Sequence, residues 1–180
     1  DNDRPLVAMG HQTELYHAGV WAKNALTDAV AAKLGGRAFQ FAVDTDEPKH
    51  LRLKWPGGTE DLTDDDTPAE WAGLLTAPSP VHIARIGEQF GRAAAAWDFR
   101  PLLPEFLSTM RRLAPEASAL PSALTRATHA LDGSLGLRYD ATLFSPLCRS
   151  EPYLSFAWHV LSRAGAFAAE RMSTSAPFGP

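Results

Sequence analysis

The sequence predicts an α/β domain with a three-layer, Rossmann-like and mainly parallel sheet, followed by a helical C-terminal part. Three observations predict it: an apolar strand near the N-terminus, a helix that follows a polar loop, and a second strand directly after that helix. A strand, a helix and a strand in this order form a βαβ unit, which joins two parallel strands by a right-handed crossover.

The first strand is predicted at Leu6–Met9, a wholly apolar run of the kind found in strands covered on both faces. The helix is predicted over Val20–Leu34 and ends at Gly35 and Gly36, which supply a C-terminal stop. Apolar residues recur through this helix at three- and four-residue steps, namely at Val20, Trp21, Ala25, Leu26, Ala29, Val30 and Leu34.

The second strand is predicted at Ala38–Val43, and it ends in an acidic segment that begins at Asp44. Leu51–Trp55 alternates apolar and basic residues, which predicts a strand with one solvated face. Pro56, Gly57 and Gly58 then predict a turn.

Residues 81–180 are predicted to be mostly helical, with one further strand near residues 137–144. We therefore divide the chain into a site-bearing core, residues 1–80, and a helical remainder of the same domain. The last long element is predicted as one helix over Glu151–Met172 that is buried through Phe156, Leu161 and Phe167, among others. Apolar stripes at Ile83, Ile86 and Phe90, at Phe106, Met110 and Leu113, and at Leu120, Leu124 and Leu131 mark the other helices.

The composition excludes several classes of partner. The chain has 180 residues, 45% of them hydrophobic, and a net charge of −4, so it has no global attraction to nucleic acid or to an anionic membrane. No apolar run reaches the roughly 18 residues of a membrane span. The single cysteine, Cys148, cannot form an internal disulfide, which indicates a reducing compartment, the cytoplasm. The oligomeric state has no signature in the sequence.

Polar side chains follow both predicted parallel strands. Gly10, His11 and Gln12 come after the first strand, and Asp44 and Asp46 come after the second. Ligands of open parallel sheets bind beyond the carboxyl ends of the strands, where both loops open on the same edge. The sequence therefore predicts that these two polar segments face each other across a ligand site.

The start of the predicted helix favours an anionic ligand, because unpaired N–H groups and a partial positive charge gather there. Gly10 and Gly19 allow a ligand to approach the backbone closely. Lys23 and Asn24 lie on the first turns of the helix, where the ammonium group can reach an anion. The predicted partner is thus an anionic small molecule, with a nucleotide as the candidate cofactor.

The segment from Gly10 to Asn24 also resembles the opening of the bacillithiol cysteine-adding enzyme family, and it is most similar to a group of bacterial relatives that read Gly-His-Gln-x-Glu-Leu-x-His-x-Gly-Val-Trp-x-Lys-Asn. The resemblance implies a Rossmann-like core with a deep cleft. It also implies a ligase that condenses a cysteine amine or thiol compound with a carboxylate-bearing sugar. Residues carried over to the cleft are Gly10, Gln12, Gly19, Lys23 and Asp46.

The chain departs from that family at several positions. His11 stands where the family has its first glutamine, and His17-Ala18-Gly19 stands where the family has Thr-Gly-Pro. The histidine of the family's acidic cluster is missing unless His50 substitutes for it.

In the ligase hypothesis, His11 or His17 moves a proton, Lys23 neutralises the anion, and Asp44 or Asp46 binds the substrate amine. The alternatives are a nucleotidyltransferase, in which His17 and His11 bind phosphates, and a non-catalytic small-molecule-binding module. A metal held by the two histidines and the two aspartates is a further alternative, although no spacing requires one.

Overall fold

The computed structural model describes residues 4–15, 18–64 and 71–174 of the chain. The chain forms two compact units, residues 1–144 and 145–180. The boundary between the units follows the last described strand, which returns from the helical half of the chain to the sheet.

The first unit contains two sheets and four α-helices among its described residues. In chain order its elements are β1 (Leu6–Gln12), α1 (Ala18–Lys33), β2 (Arg37–Val43), β3 (Arg52–Trp55), β4 (Gly58–Asp61), a 3-10 turn (Ala72–Leu74), α2 (Pro80–Ala94), α3 (Leu103–Leu113), a second 3-10 turn (Ala114–Glu116), α4 (Leu120–Ser134) and β5 (Asp140–Leu143). The short α5 (Phe144–Leu147) follows at the boundary between the units.

The parallel sheet has the strand order β1-β2-β5. Leu6 of β1 pairs with Arg37 of β2, and Phe39 of β2 pairs with Asp140 of β5, both in parallel register. Since α1 connects β1 to β2, the predicted βαβ unit is present and the first unit is α/β in class.

The buried face of α1 is small and partly polar. Its buried residues are Val20, Asn24, Thr27 and Ala31. Leu26, by contrast, is 63% exposed although it belongs to the apolar pattern that predicts the helix. Periodicity therefore locates the helix correctly, whereas close packing on the sheet and hydrogen bonds from distant residues select the face that is buried.

The expectation that β1 is covered on both faces is wrong. Exposed residues alternate with partly buried ones along the strand, and Leu6 is 59% exposed. β1 is an edge strand of a three-stranded sheet, and α1 packs against it. An apolar run predicts a strand, but it does not show how many layers cover that strand.

The antiparallel hairpin of β3 and β4 confirms the predicted turn. Arg52 pairs with Asp61 at the open end, and Trp55 pairs with Gly58 next to the turn. Gly57 has a φ of 90°, a conformation that glycine adopts without the steric cost of a side chain.

The main hydrophobic core lies among α2, α3 and α4, and the apolar stripes predicted for these helices supply about half of its buried residues. Leu131 is only partly buried, whereas the other stripe residues of α3 and α4 are buried. α2 begins at Ser79, whose hydroxyl accepts a hydrogen bond from the His82 backbone N–H as an N-cap. The core residues include Ile83, Ile86, Phe106, Leu107, Met110, Leu120, Ala123 and Leu124.

The second unit contains α6 (Glu151–Leu161) and α7 (Ala164–Thr174). A turn at residues 162–163 interrupts the single helix that the sequence predicts. The predicted burial is also wrong, because Phe156 is 63% exposed, Leu161 70% and Phe167 44%. An apolar pattern predicts a helix, but burial needs an opposing surface, which the two helices do not supply to these side chains. Of the helices described, none combines the length and the apolar character that crossing a bilayer requires.

Candidate functional site

The carboxyl ends of β1 and β2 lie side by side, since Gln12 pairs with Val43 at the last position of the ladder. Thr13 extends this pairing: its backbone N–H and its hydroxyl both donate to the Val43 carbonyl, at 3.3 and 2.9 Å. The polar end of β1 and the polar segment after β2 are therefore adjacent. Gly10, His11 and Gln12 belong to β1 itself, so the prediction that they follow the strand is wrong.

Gln12 and Asp46 connect these two segments directly. The Gln12 side-chain amide donates a hydrogen bond to the Asp46 carboxylate, whose other oxygen accepts from the Glu47 backbone N–H at 2.8 Å. The Lys49 ammonium lies 4.0 Å from the same carboxylate. The hydrogen bond from Gln12, then that from Glu47, and the charge of Lys49 lower the pKa of Asp46 below its ordinary value. Asp46 is therefore a stable anion at neutral pH.

Glu14 and His50 form the closest contact between a carboxylate and an imidazole in the described residues. Glu14 Oε2 lies 2.5 Å from His50 Nδ1. The Glu14 side chain is 7% exposed, whereas that of His50 is 76% exposed. A buried carboxylate thus holds one ring nitrogen of a histidine whose side chain faces solvent.

His11 approaches the other oxygen of the same carboxylate. Its Nδ1 lies 3.6 Å from Glu14 Oε1 and 3.2 Å from the Gln12 carbonyl oxygen. The His11 side chain is mostly buried, in contrast to that of His50. Glu14 therefore lies between two imidazoles. We call His11, Gln12, Glu14, Asp46, Lys49 and His50 the strand-end site.

Asp44 lies beneath this surface, at 4% exposure. The 3-10 turn covers it: the Gly73 N–H donates to the Asp44 carbonyl at 2.8 Å, and the Ala72 N–H donates to the Asp46 carbonyl at 2.8 Å. A Cβ atom at Gly73 would lie 3.1 Å from the Asp44 carbonyl oxygen, so the close approach favours glycine. Asp44 thus contributes to the floor of the site rather than to its accessible surface.

The predicted site residues of α1 differ in their exposure to solvent. Gly19 and Lys23 are exposed, and Lys23 forms no ion pair with any described residue. Asn24 is only 1% exposed and hydrogen-bonds to Asp132, on the buried face of the helix. Gly10 is exposed in β1, with 3.7 Å between a hypothetical Cβ and the nearest atom, the Phe41 carbonyl oxygen.

The structure therefore brings His11, Gln12 and Asp46 together, while His17 lies outside the described residues. Glu14, Lys49 and His50 join them and were not among the predicted catalytic or ligand-binding residues. The sequence does carry a signal for Glu14, which belongs to the same dense polar loop. Nothing in the sequence connects Glu14 to His50, because 36 positions separate them and only the strand pairing brings their segments together.

Within the described ranges, no group of three or more histidine, cysteine, aspartate or glutamate side chains is arranged to hold a metal ion. Comparisons of the chain with family models, with curated proteins and with solved structures gave no match. The function is therefore argued from the chemistry of the strand-end site.

Proposed function

We propose that this chain is a small-molecule enzyme of the ligase or transferase class, and that its reaction takes place at the strand-end site. The observation that carries the proposal is the 2.5 Å contact between Glu14 Oε2 and His50 Nδ1. A carboxylate bound to one ring nitrogen keeps the proton on that nitrogen, and it leaves the other, Nε2, able to accept a proton.

The chemistry follows from this pair. A substrate amine or thiol attacks an acyl carbon that is bonded to a nucleotide phosphate, and it loses its proton to His50 Nε2. The phosphate leaves with the electron pair of the broken C–O bond, and the Glu14 carboxylate stabilises the imidazolium that forms. Glu14 positions the base without touching the substrate. The resemblance to the cysteine-adding ligases implies the same kind of nucleophile, with a nucleotide as the candidate activator of the acyl group.

The backbone of His50 supports a functional role. Its φ of 51° lies in the left-handed region, and among the described non-glycine residues it alone has a positive φ. A non-glycine residue in this region costs about 1–3 kcal/mol and is retained where its surroundings hold it in place. The contact with Glu14 is one such restraint on the imidazole.

Residues around the start of α1 support an anionic substrate. The exposed Gly10 and Gly19 leave the backbone accessible, and the exposed Lys23 can bring a positive charge. In this proposal Lys23 neutralises the substrate anion, Asp46 binds the substrate amine, and His11 supports the proton transfer through Glu14.

The proposal includes a three-layer Rossmann-like fold, and it places the protein in the cytoplasm. One face of the parallel sheet packs on α1, and the register places Leu6, Phe39 and Phe41 on the opposite face. Leu6 is 59% exposed and the two phenylalanines are partly exposed, as expected of a face that accepts a further layer.

The first experiment is a thermal-shift screen with nucleotides, amino acids and sugar phosphates, followed by assays of turnover for every compound that binds. We expect His50→Gln to lower turnover by about 10²- to 10⁴-fold while the ligand still binds, because the substitution removes the base and leaves the other residues of the strand-end site in place. His159→Gln, in the second unit, is the matched control and should leave turnover unchanged. Full turnover by His50→Gln contradicts the proposal, and stoichiometric binding without turnover favours the binding module.

The second experiment tests whether Lys23 binds an anionic ligand. Lys23→Ala should weaken the binding of an anionic ligand about 10-fold without lowering the melting temperature, because Lys23 is exposed and unpaired among the described residues. Lys33→Ala, at the other end of the same helix, should leave the affinity unchanged. Equal affinity of the Lys23→Ala variant and the unmodified protein rules out this role for Lys23.

A further inference from the structure

One cavity of the first unit lies among α1, α3 and α4, and none of its lining residues belongs to the strand-end site. Its volume is 470 Å³, and apolar side chains such as Trp21, Phe106, Leu131 and Leu135 form most of its wall. Small-molecule sites occupy roughly 300–1,000 Å³ and combine a mostly apolar lining with a few polar groups. The polar groups of this wall are Thr128 and Asp132. We call it the Asp132 cavity.

The carboxylate of Asp132 is 1% exposed and accepts three hydrogen bonds. Trp21 Nε1 donates to Oδ1 at 2.9 Å, while Asn24 Nδ2 and the Tyr139 hydroxyl donate to Oδ2 at 3.0 and 2.6 Å. All three partners donate, so the carboxyl group acts as an acceptor in each of these hydrogen bonds.

No cationic side chain of the described residues forms an ion pair with Asp132. A buried carboxylate without a positive partner is costly, because neutral donors replace only part of its lost hydration. The wall of the cavity therefore contains a buried carboxyl group that has no cationic partner among the described residues.

The same cluster also contains hydrogen-bond acceptor positions that no donor of the described residues occupies. The amide oxygen of Asn24 is buried and has no hydrogen-bond partner within the part of the chain that the structure describes. A carboxylate has about four acceptor positions, of which Asp132 uses three. Asn24 does not line the cavity, so its oxygen belongs to the cluster behind the wall, whereas the remaining acceptor position of Asp132 belongs to a residue of the wall.

We propose that the Asp132 cavity binds an apolar small molecule that carries a protonated amine. The ammonium supplies the missing positive charge and the missing donors at Asp132, and the aromatic or aliphatic body packs on Trp21, Phe106 and Leu131. Trp21 adds an aromatic ring to the wall, which favours a nearby cation. A dry cavity of about 150 Å³ accommodates benzene, so this volume has room for an arylalkylamine.

The inference does not depend on the proposed reaction, because Glu14 and His50 do not line this cavity. A ligand can bind at Asp132 whether or not the strand-end site is catalytic. The two are separated by their variants: His50→Gln should leave amine binding intact.

Three matched probes test whether the ligand needs a positive charge. They are phenylpropylamine, phenylpropanol and phenylpropanoate, each titrated calorimetrically into the full chain. We expect the amine to bind at one site per chain, at least about 10-fold more tightly than the alcohol, because a hydrogen bond to a charged group contributes more than a neutral one. The carboxylate should not bind, since it repels Asp132. Equal affinities for the amine and the alcohol, or no binding of the amine, overturn the proposal.

Two variants locate the site. Asp132→Asn should remove the preference for the amine over the alcohol. Because that variant can fail to fold, Leu131→Trp fills the cavity without altering the hydrogen-bonded cluster, and it should weaken amine binding at least about 10-fold. Leu154→Trp, the same substitution at a 55% exposed position of α6, is the control and should bind as the unmodified protein does. Unchanged amine binding by Leu131→Trp overturns the placement of the ligand.

Discussion

Glu14 and Asp132 are both buried carboxylates of the first unit, at 7% and 1% exposure, yet their partners differ in kind. Glu14 contacts two imidazoles, His11 and His50, which can gain and lose protons. Asp132 accepts hydrogen bonds from an indole, an amide and a phenol, which stay neutral near pH 7. In our proposals the same functional group therefore serves proton transfer at one site and the binding of a protonated amine at the other.

The comparison predicts that Asp132 contributes most to stability. Asp132→Ala removes the acceptor of the hydrogen bonds from Trp21, Asn24 and Tyr139, and each lost bond costs about 1–3 kcal/mol. We expect the free energy of unfolding to fall by about 3–5 kcal/mol, measured by urea denaturation. The exposed Asp98 provides the control: Asp98→Ala should change stability by less than about 0.5 kcal/mol. A loss below about 1 kcal/mol for Asp132→Ala means that the cluster is not a structural unit.

Glu14→Gln should have a smaller effect on stability than Asp132→Ala. The glutamine oxygen can still accept from the imidazole of His50, so only the charge-assisted part of the bond is lost, about 1 kcal/mol by urea denaturation. Glu88→Gln, on the exposed face of α2, is the matched control and should be neutral. If Glu14→Gln destabilises the protein as much as Asp132→Ala does, the two carboxylates play the same structural role and the contrast between them fails.

The smallest effect is expected at Asp46 and depends on pH. The Gln12 hydrogen bond lowers its pKa from 3.8 in the folded protein, so the stabilisation is present above this value and is lost as the pH falls below it. Asp46→Asn should make the acid-side loss of stability shallower, as measured by urea denaturation at pH 7 and near pH 3. Asp98→Asn should leave that dependence unchanged. A steeper acid-side loss in Asp46→Asn contradicts the direction of the pKa shift.

Much of the strand-end site follows from the sequence, because it depends on the order of elements. A parallel βαβ unit places the ends of β1 and β2 together, which accounts for the pairing of Gln12 with Asp46. The partnership of Glu14 with His50 does not follow in this way. It depends on the course of the loop after β2, and loop conformation has no periodic signature in a sequence.

Asn24 also shows that the sequence does not predict contacts between residues far apart in the chain. Its place near the start of a helix suggested ligand binding, yet in the structure it faces Asp132 and Tyr139, more than 100 positions further along the chain. The apolar residues of α6 show it again, since their pattern predicted the helix but not the 73% exposure of Trp158. Side-chain burial requires a partner surface, which periodicity does not specify.

The amino-acid sequence by itself determined the α/β class, the βαβ unit, the hairpin turn and the apolar stripes of α2, α3 and α4, because local propensity and periodicity encode them. The tertiary structure decided which face of α1 is buried, which histidine meets Glu14 and where Asp132 lies. These outcomes depend on contacts between residues far apart in the chain, such as the 108 positions between Asn24 and Asp132. Only the folded packing can bring such residues together.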